Sequence, residues 1–335
     1  MQEEQGPIRA PEFPPNVTWL QGGPLRMADL RGKPVLIDFW DYTCVNCIRT
    51  LPYLKEWHRK YREHGLTIVG VHAPEFSFAR DAGNVQRAVR EHGIEYPVVL
   101  DNDYAIWQAW ANRYWPAKYL VDANGYLRYY HFGEGAYDQT EEAIQTLLRE
   151  AFPQVLLPGK MEPVRDEDRP GAVCYRVTPE LYLGYARGLI GNVAGLKPDA
   201  PSTYRDPGKH IDGHAYLDGD WLLTGEYLAR PAGASGTSRI IVPYMAKEVN
   251  CVIHPPSYGG QAVFSVLQDG QPIAAEDAGA DVHAGGAVAT MPIDTPRMYR
   301  IVANREIERH ELRLETMSDG VALYAFTFTS CLVPE

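Results

Sequence analysis

Long apolar runs are missing from this 335-residue sequence. No stretch approaches the roughly 18 consecutive apolar residues that a membrane-spanning helix needs, so we predict no transmembrane segment. Residues 1–15 are polar and proline-rich, and they lack the apolar core of a secretory signal peptide. We therefore expect either a cytoplasmic protein or a mature or excised soluble part of a longer one.

A surplus of positive charge is also missing. The chain has 32 Lys and Arg residues against 43 Asp and Glu residues, which gives a formal net charge of −11. Nucleic-acid partners need clustered basic residues that contact phosphates, so we exclude this class of partner. Because 45% of the residues are hydrophobic, the composition is that of a folded protein, and the length suggests two domains.

Strands and helices alternate from Val35 to Arg149, and this part ends in a hairpin and a helix. The alternation predicts an α/β domain over residues 1–152, with a sheet covered on both faces. Closely spaced prolines and glycines then predict an extended linker over residues 153–172. From 173 to 335, short alternating strands separated by Asp-Gly turns predict an all-β sandwich of jelly-roll type.

Cysteine is scarce, with five in the chain, and only Cys44 and Cys47 are close in sequence. Since a second CxxC pair is absent, a four-thiolate zinc site is not expected, and we predict no metal. An odd number leaves at least one thiol free or paired outside the chain. Cys174 and Cys331 lie in the first and last strands of the predicted sandwich, which are often neighbours, so we predict a disulfide between them.

Cys44-Val45-Asn46-Cys47 follows a buried strand and opens a helix. The unpaired N–H groups and the positive dipole end of a helix N-terminus favour the thiolate form of Cys44. A thiolate, not a thiol, attacks a disulfide, and Cys47 lies one helical turn further on, where it can resolve the mixed disulfide. The pattern therefore predicts dithiol–disulfide exchange, with a redox-active Cys44–Cys47 disulfide and no other cofactor.

The residues around this pair resemble thioredoxin. Asp38-Phe39-Trp40 leads into the pair, Pro52 lies in the helix that follows, and Trp115-Pro116 precedes a strand that begins at Lys118. The resemblance implies a thioredoxin-like fold for the first domain. It also implies a cis peptide bond at Pro116, although an ordinary trans proline at a strand start remains the alternative.

The same resemblance implies roles for individual residues. Asp38 would accept the proton of Cys47, with a pKa raised by burial, and the alternative is an inert strand-end aspartate. Trp40, Trp115 and Pro116 would line a groove for an extended substrate, although Trp40 can equally be a structural residue.

Four further residues lie close to these motifs in the predicted fold. We expect Asp41 and Tyr42 at the rim of the site, and we interpret His72 and Glu75 as loop structure.

The long interval between Cys47 and Pro116 resembles the TlpA/ResA branch of this fold. Residues 70–76, 100–104 and 114–117 further resemble the soluble C-terminal region of DipZ-type proteins, which combines a thioredoxin-like domain with a carbohydrate-binding-module-like sandwich. This implies an extracytoplasmic reductase of partner-protein disulfides, fed by a DsbD-like membrane electron carrier and linked to cytochrome c biogenesis. One departure is Thr50, because ResA-like proteins often have Glu at that position.

Two other functions stay open. The sandwich could make the chain a glycan- or partner-binding protein, with the aromatic residues Tyr204, Tyr216, Trp221, Tyr227 and Tyr258 as the candidate sugar platforms. Alternatively, the chain could be a thiol peroxidase-like antioxidant protein. Peroxiredoxins, however, have Thr at the position of Cys44 and place the reactive cysteine at the position of Cys47, so a cysteine pair favours dithiol exchange.

Overall fold

The computed structural model describes residues 7–169, 173–174, 177–192, 195–257, 259–329 and 331–332, with only the backbone described at 166, 173, 174, 331 and 332. The chain divides into two compact units, Met1–Pro170 and Gly171–Glu335. Within the described residues, no helix combines the length and apolar character needed to cross a membrane.

The first unit is a six-stranded sheet flanked by helices. Its strands are β1 Thr18–Gln21, β2 Val35–Trp40, β3 Thr67–His72, β4 Val98–Leu100, β5 Ala117–Val121 and β6 Leu127–Phe132, and its helices are α1 Val45–Tyr61, α2 Ala82–Glu91, α3 Ala105–Ala109 and α4 Tyr137–Ala151. The strand order is β1-β4-β3-β2-β5-β6, with β2 parallel to β3 and antiparallel to β5. The predicted α/β thioredoxin-like domain is confirmed.

The central strand β2 positions the site. Every residue of β2 is buried, because apolar side chains cover both faces of the sheet. Its Asp38 lies opposite Gly70 in β3 and opposite Lys118 in β5. The strand ends just before the cysteine pair, and β5 begins just after Pro116. Because Phe39 of β2 pairs with Ala117 of β5, the cysteine motif and the Trp-Pro motif lie at the same end of the sheet.

The proline-rich segment after α4 lies against the first unit. We call residues 153–169 the strap. Leu157 and Met161 pack on the hydrophobic core of the first unit, and the backbone N–H of Val164 donates to the Tyr53 hydroxyl at 2.8 Å. Most of the segment that the sequence predicts to be a linker is therefore in contact with the helices of the thioredoxin-like domain.

The second unit contains no helix in its described part. Its strands are β7 Val173–Cys174, β8 Leu181–Tyr182, β9 Ser202–Tyr204, β10 Tyr216–Leu223, β11 Leu228–Ala229, β12 Ser238–His254, β13 Ala262–Gln268, β14 Gln271–Pro272, β15 Thr290–Ile293, β16 Arg297–Thr316, β17 Ala322–Thr329 and β18 Cys331–Leu332. The long antiparallel pair β12–β16 organises the sheet, because β12 also pairs with β10 through its first half and with β17 through its second half. The predicted all-β class is confirmed.

Aromatic side chains fill the core of the second unit. Tyr204, Tyr216 and Trp221 are 5%, 3% and 0% exposed, so these three candidate sugar platforms are buried and have no face open to a ligand. The ring of Tyr227 contacts Tyr324, with centroids 5.2 Å apart. Tyr258 lies outside the described residues.

The first and last strands of the second unit are paired. In the antiparallel register of β7 and β18, Cys331 lies opposite Cys174. The side chains of both cysteines lie outside the described part of the structure, so a disulfide between them stays a prediction.

Candidate active site

The cysteine pair begins helix α1. Cys44 is the N-cap residue, with extended backbone, and its sulfur accepts a hydrogen bond from the backbone N–H of Cys47 at 3.3 Å. Cys44 is partly exposed, whereas Cys47 is only 1% exposed. An N–H that points at a partly exposed sulfur stabilises its negative charge, so Cys44 has the geometry of an attacking thiolate and Cys47 that of a shielded second thiol.

Cys47 is held in its protonated form by its surroundings. Burial raises the pKa of the Cys47 thiol well above its usual value, and the neighbouring Cys44 and Asp38 raise it further. A thiol of this kind becomes a nucleophile only when a base removes its proton.

Asp38 is the candidate base, because its charge acts on the Cys47 thiol. It is 1% exposed, and neither carboxylate oxygen has a hydrogen-bond partner among the described residues. Burial raises the pKa of Asp38 to about 7, against an opposing attraction from Lys118. A carboxylate that titrates near neutral pH can both take up and release a proton under physiological conditions.

Lys118 is a residue of the site that the sequence analysis missed. Its side chain is fully buried, and its ammonium group has no hydrogen-bond partner in the described chain. Burial lowers the pKa of Lys118, while the negative charges of Asp38, Cys47 and Glu134 raise it. The sequence signal for Lys118 was a lysine within a strand that is otherwise apolar and expected to be buried. Because lysines are almost never fully buried without a partner, such a position indicates a functional residue.

Tyr96 completes this buried polar group. Its hydroxyl is buried and has no hydrogen-bond partner among the described residues. Burial raises the pKa of Tyr96 well above its usual value, with contributions from Asp38 and Cys47. Gly70 leaves room for the ring, because a Cβ at that position would lie 3.1 Å from Tyr96 Cε2 and 3.1 Å from Trp40 Nε1.

The cis-proline loop lies beside the cysteines' helix. The Trp115–Pro116 peptide bond is cis, as predicted. Pro116 is buried, and its carbonyl accepts from the backbone N–H of Gly133 at 2.8 Å. Trp115 is partly exposed, so it is the member of the predicted groove that solvent reaches.

Trp40 does not line a groove, since its side chain is 0% exposed. Its indole contacts the ring of His72 edge-on, with centroids 5.3 Å apart. The assignment of Trp40 to the substrate groove was wrong, because the last residue of β2 points into the core rather than out of the strand end. Trp40 is part of the same hydrophobic core as Cys47.

Asp41 and Tyr42 are also buried rather than at the rim, with 0% and 3% exposure. The Asp41 carboxylate accepts from the backbone N–H of Thr43 at 2.7 Å and from that of Glu75 at 2.6 Å. The indole N–H of Trp115 donates to the carbonyl of Ala73 at 2.9 Å. The loop after β3 thereby connects the loop before Cys44 to the cis-proline loop.

His72 is the buried last residue of β3, so the interpretation of His72 as loop structure was wrong. Its ring stacks on Tyr42, with centroids 5.6 Å apart, and its Nε2 lies 3.9 Å from Asp41 Oδ1. Burial lowers the pKa of His72 to about 3, so the ring is neutral at physiological pH.

The described residues contain no group of three or more His, Cys, Asp or Glu side chains that could hold a metal ion. At the position where ResA-like proteins often have Glu, the Thr50 hydroxyl donates to the carbonyl of Asn46 at 3.0 Å and lies 3.4 Å from the Tyr137 hydroxyl.

Two protein families match the chain. The AhpC/TSA family matches residues 9–130, and a family described as a thioredoxin-like C-terminal domain matches residues 178–329. The two matches fall on the two structural units.

Three relatives are similar to the chain. The protein DipZ of Mycobacterium bovis is 33% identical over 323 residues, which cover 95% of this chain and 42% of DipZ. The thiol–disulfide oxidoreductase YkuV of Bacillus subtilis is 33% identical over 140 residues, which cover 42% of this chain and 94% of YkuV. The thiol–disulfide oxidoreductase ResA of Bacillus thuringiensis is 31% identical over 144 residues, covering 43% of this chain and 77% of ResA. The chain thus spans about two fifths of DipZ and most of the two shorter relatives.

Proposed function

This chain belongs to the thioredoxin-like thiol–disulfide oxidoreductases, and we propose that Cys44 and Cys47 are its catalytic dithiol. The observation that supports this assignment best is the contrast between the two sulfurs. Cys44 is partly exposed and accepts the Cys47 backbone N–H at the start of α1, while Cys47 is buried next to Asp38. One thiol is placed to meet a substrate, and the other is placed to react only after it.

The reaction has two displacement steps. In the first, the Cys44 thiolate attacks one sulfur of a substrate disulfide, an enzyme–substrate disulfide forms, and the other substrate sulfur leaves as a thiolate that takes up a proton. In the second, Cys47 loses its proton and attacks the Cys44 sulfur. The Cys44–Cys47 disulfide forms, the substrate leaves as a dithiol, and two electrons have passed from enzyme to substrate.

Asp38 is the proton acceptor in the second step. Its unpartnered oxygens and its pKa of about 7 suit a group that takes the Cys47 proton and later returns it. Lys118, opposite Asp38 in the sheet, stabilises the carboxylate once it is charged and so keeps the base available.

The substrate class that we propose is protein disulfides. An extended segment would lie along the cis-proline loop, where Trp115 is the partly exposed side chain next to the buried Pro116. From the resemblance to DipZ, we include in this proposal an extracytoplasmic location, a DsbD-like membrane carrier as electron donor and a part in cytochrome c biogenesis.

A peroxidase is the second candidate, because residues 9–130 match the AhpC/TSA family. If the chain were a peroxidase, Cys47 would have to react with a peroxide as a thiolate. Its burial and its raised pKa oppose this, so dithiol exchange is the better supported reaction. Glycan binding by the second unit has no comparable support, since the aromatic rings proposed for it are mainly in the core.

The deciding experiment is a redox titration of the chain in glutathione buffers, followed by tryptophan fluorescence and by alkylation of free thiols. A reversible two-electron transition that disappears in Cys44→Ser supports the proposal. A potential near about −270 mV indicates a reductase that depends on a donor, whereas one near about −120 mV indicates a disulfide donor. The absence of any reversible transition would remove the oxidoreductase assignment.

A further inference from the structure

A series of ion pairs connects the strap to Glu134, a residue whose charge acts on the active site. Arg165 in the strap lies 3.1 Å from Glu134 Oε1 and 2.6 Å from Asp168 Oδ1, measured from Nη2. Glu134 Oε2 lies 3.8 Å from Arg49 Nη1. The side chains of Arg165 and Glu134 are 25% and 24% exposed, so water screens their charges less than it screens charges on an open surface.

Glu134 connects these ion pairs to the active site. It follows Gly133, whose N–H holds the carbonyl of Pro116, and its negative charge acts on the buried ammonium group of Lys118. The charges of two carboxylates, Asp38 and Glu134, therefore both act on Lys118.

Packed aromatic rings hold the strap in this place. The rings of Tyr53 and Tyr137 are nearly parallel, with centroids 3.6 Å apart, and Lys118 Nζ lies over the Tyr137 ring at 5.7 Å. The Tyr53 hydroxyl donates to Asp168 at 2.5 Å. The charge of Arg165 is thus fixed in position relative to Lys118 rather than being free to move in solvent.

We propose that Arg165 is a positioning residue that sets the redox equilibrium of the Cys44–Cys47 pair by acting through Glu134 and Lys118. The inference rests on the proposed function of that pair. While Arg165 neutralises Glu134, the charge of Lys118 acts on Asp38 and on the cysteines. The reduced pair contains a thiolate that the disulfide lacks, so positive charge near the site favours the reduced form.

The test is the equilibrium in which the protein disulfide and two reduced glutathione molecules give the protein dithiol and one oxidised glutathione. In the full chain, Arg165→Gln should lower this equilibrium constant about three- to tenfold, and Glu134→Gln should raise it by a similar factor. One charge acting across roughly 10 Å at an effective dielectric constant of about 25 to 50 has an effect of this size. The double variant should lie close to the wild type.

The strap offers its own control. Lys160 pairs with Glu142 at 2.8 Å, so Lys160→Gln removes one strap charge without touching Glu134, and it should leave the constant unchanged. Arg165→Lys keeps the positive charge, so it should retain most of the wild-type equilibrium constant. Shifts of opposite sign in Arg165→Gln and Glu134→Gln support the proposal, because loosening of the strap alone would move both in one direction. No shift in Arg165→Gln, or shifts of the same sign, overturns it, while a wild-type chain without a transition would instead remove the proposed function.

Discussion

In the first unit, Asp38, Lys118 and His72 are buried, and none of their side-chain polar atoms has a hydrogen-bond partner among the described residues. In the second unit, the buried Arg230 and Asn250 each make at least one side-chain hydrogen bond. The buried Asn192, for example, donates to the carbonyls of Arg205 and Leu217 and accepts from a backbone N–H. A buried polar group without a partner costs about 1–3 kcal/mol of stability. Asp38 and Lys118 both act electrostatically on the Cys47 thiol, so the first unit retains the cost of unpartnered buried groups at its cysteine pair.

Among the cysteines whose side chains the structure describes, Cys47 and Cys251 are buried and free, and they make the same comparison on a smaller scale. Cys251 in β12 is 0% exposed, and burial alone raises the pKa of its thiol. Cys47 is as deeply buried, but Cys44 and Asp38 also act on its pKa. Burial makes a thiol inert, and only the neighbouring sulfur and carboxylate give it a path to react.

The largest expected effect concerns these two thiols. Cys47→Ser should lower the turnover of a protein disulfide such as insulin by at least about 1,000-fold, because the mixed disulfide on Cys44 can no longer be resolved. The trapped complex should be visible as a covalent adduct on a non-reducing gel. Cys251→Ala should retain turnover, and an equal loss in that variant with an intact fold would show that the comparison is wrong.

The next effect concerns the proton. Asp38→Asn should slow resolution of the mixed disulfide by about 100-fold at pH 8, because the base for Cys47 is lost. In the wild type the rate of this step should rise with pH and level off above the Asp38 pKa of about 7. Stopped-flow fluorescence across pH 5–9 measures both. Asp103→Asn removes an exposed carboxylate of the same unit and should leave the profile unchanged, while a wild-type profile retained by Asp38→Asn would exclude Asp38 as the base.

The local parts of this site were predictable from the sequence. Cys44 at a helix start, the thioredoxin-like fold and the cis bond at Pro116 follow from short motifs and from the alternation of strands and helices. Such features depend on residues close together in the chain, and a single sequence contains the information for them.

The non-local parts were not predictable. Lys118 faces Asp38 only through the register between β2 and β5, and no local pattern in either strand specifies that register. The burial of Trp40 and Asp41 depends on the loop after β3, which closes over them. The strap looked like a linker because prolines exclude helix, and that property does not say whether an extended segment is packed or free.

The third effect concerns the free energy of unfolding, which the burial of ionised Asp38 should lower. Asp38→Asn should stabilise the first unit at pH 8 by about 2 kcal/mol, although it impairs catalysis. The folded-state pKa of Asp38 is raised to about 7, above the unfolded value of about 4, so the wild type loses stability as pH rises between these values. The full shift corresponds to about 4 kcal/mol, and we expect less because the variant leaves Lys118 without its nearest carboxylate.

Urea unfolding followed by tryptophan fluorescence reports mainly on the first unit, which has six of the seven tryptophans. The gain should shrink at pH 5 and vanish below about pH 4, where the unfolded aspartate is protonated as well. A loss of stability at pH 8 would contradict the view that ionised Asp38 is a cost to the fold.

The smallest effect is a loss of stability in the second unit, opposite in sign to the gain expected for Asp38→Asn. His210 donates from Nδ1 to Glu311 at 2.6 Å and from Nε2 to Asp206 at 2.7 Å, which requires the charged ring. Burial lowers the pKa of His210, but the two carboxylates outweigh burial and raise it overall. His210→Gln should therefore cost about 1 kcal/mol at pH 6, the size of a charge-assisted hydrogen bond that is partly screened by water.

Because the folded-state pKa of His210 is raised, its contribution is full below the unfolded value of about 6.5 and is lost as pH rises through the folded value. The cost of His210→Gln, measured by calorimetry, should consequently disappear at pH 9. His214 lies in the same loop and contacts only the carbonyl of Asp212 among its described hydrogen bonds, so His214→Gln is the matched control and should show no such pH dependence. Disulfide reductase activity should be unchanged in both variants. If His210→Gln lowered activity instead, the second unit would be part of the catalytic machinery, and paired polar groups would no longer distinguish the stable unit from the reactive one.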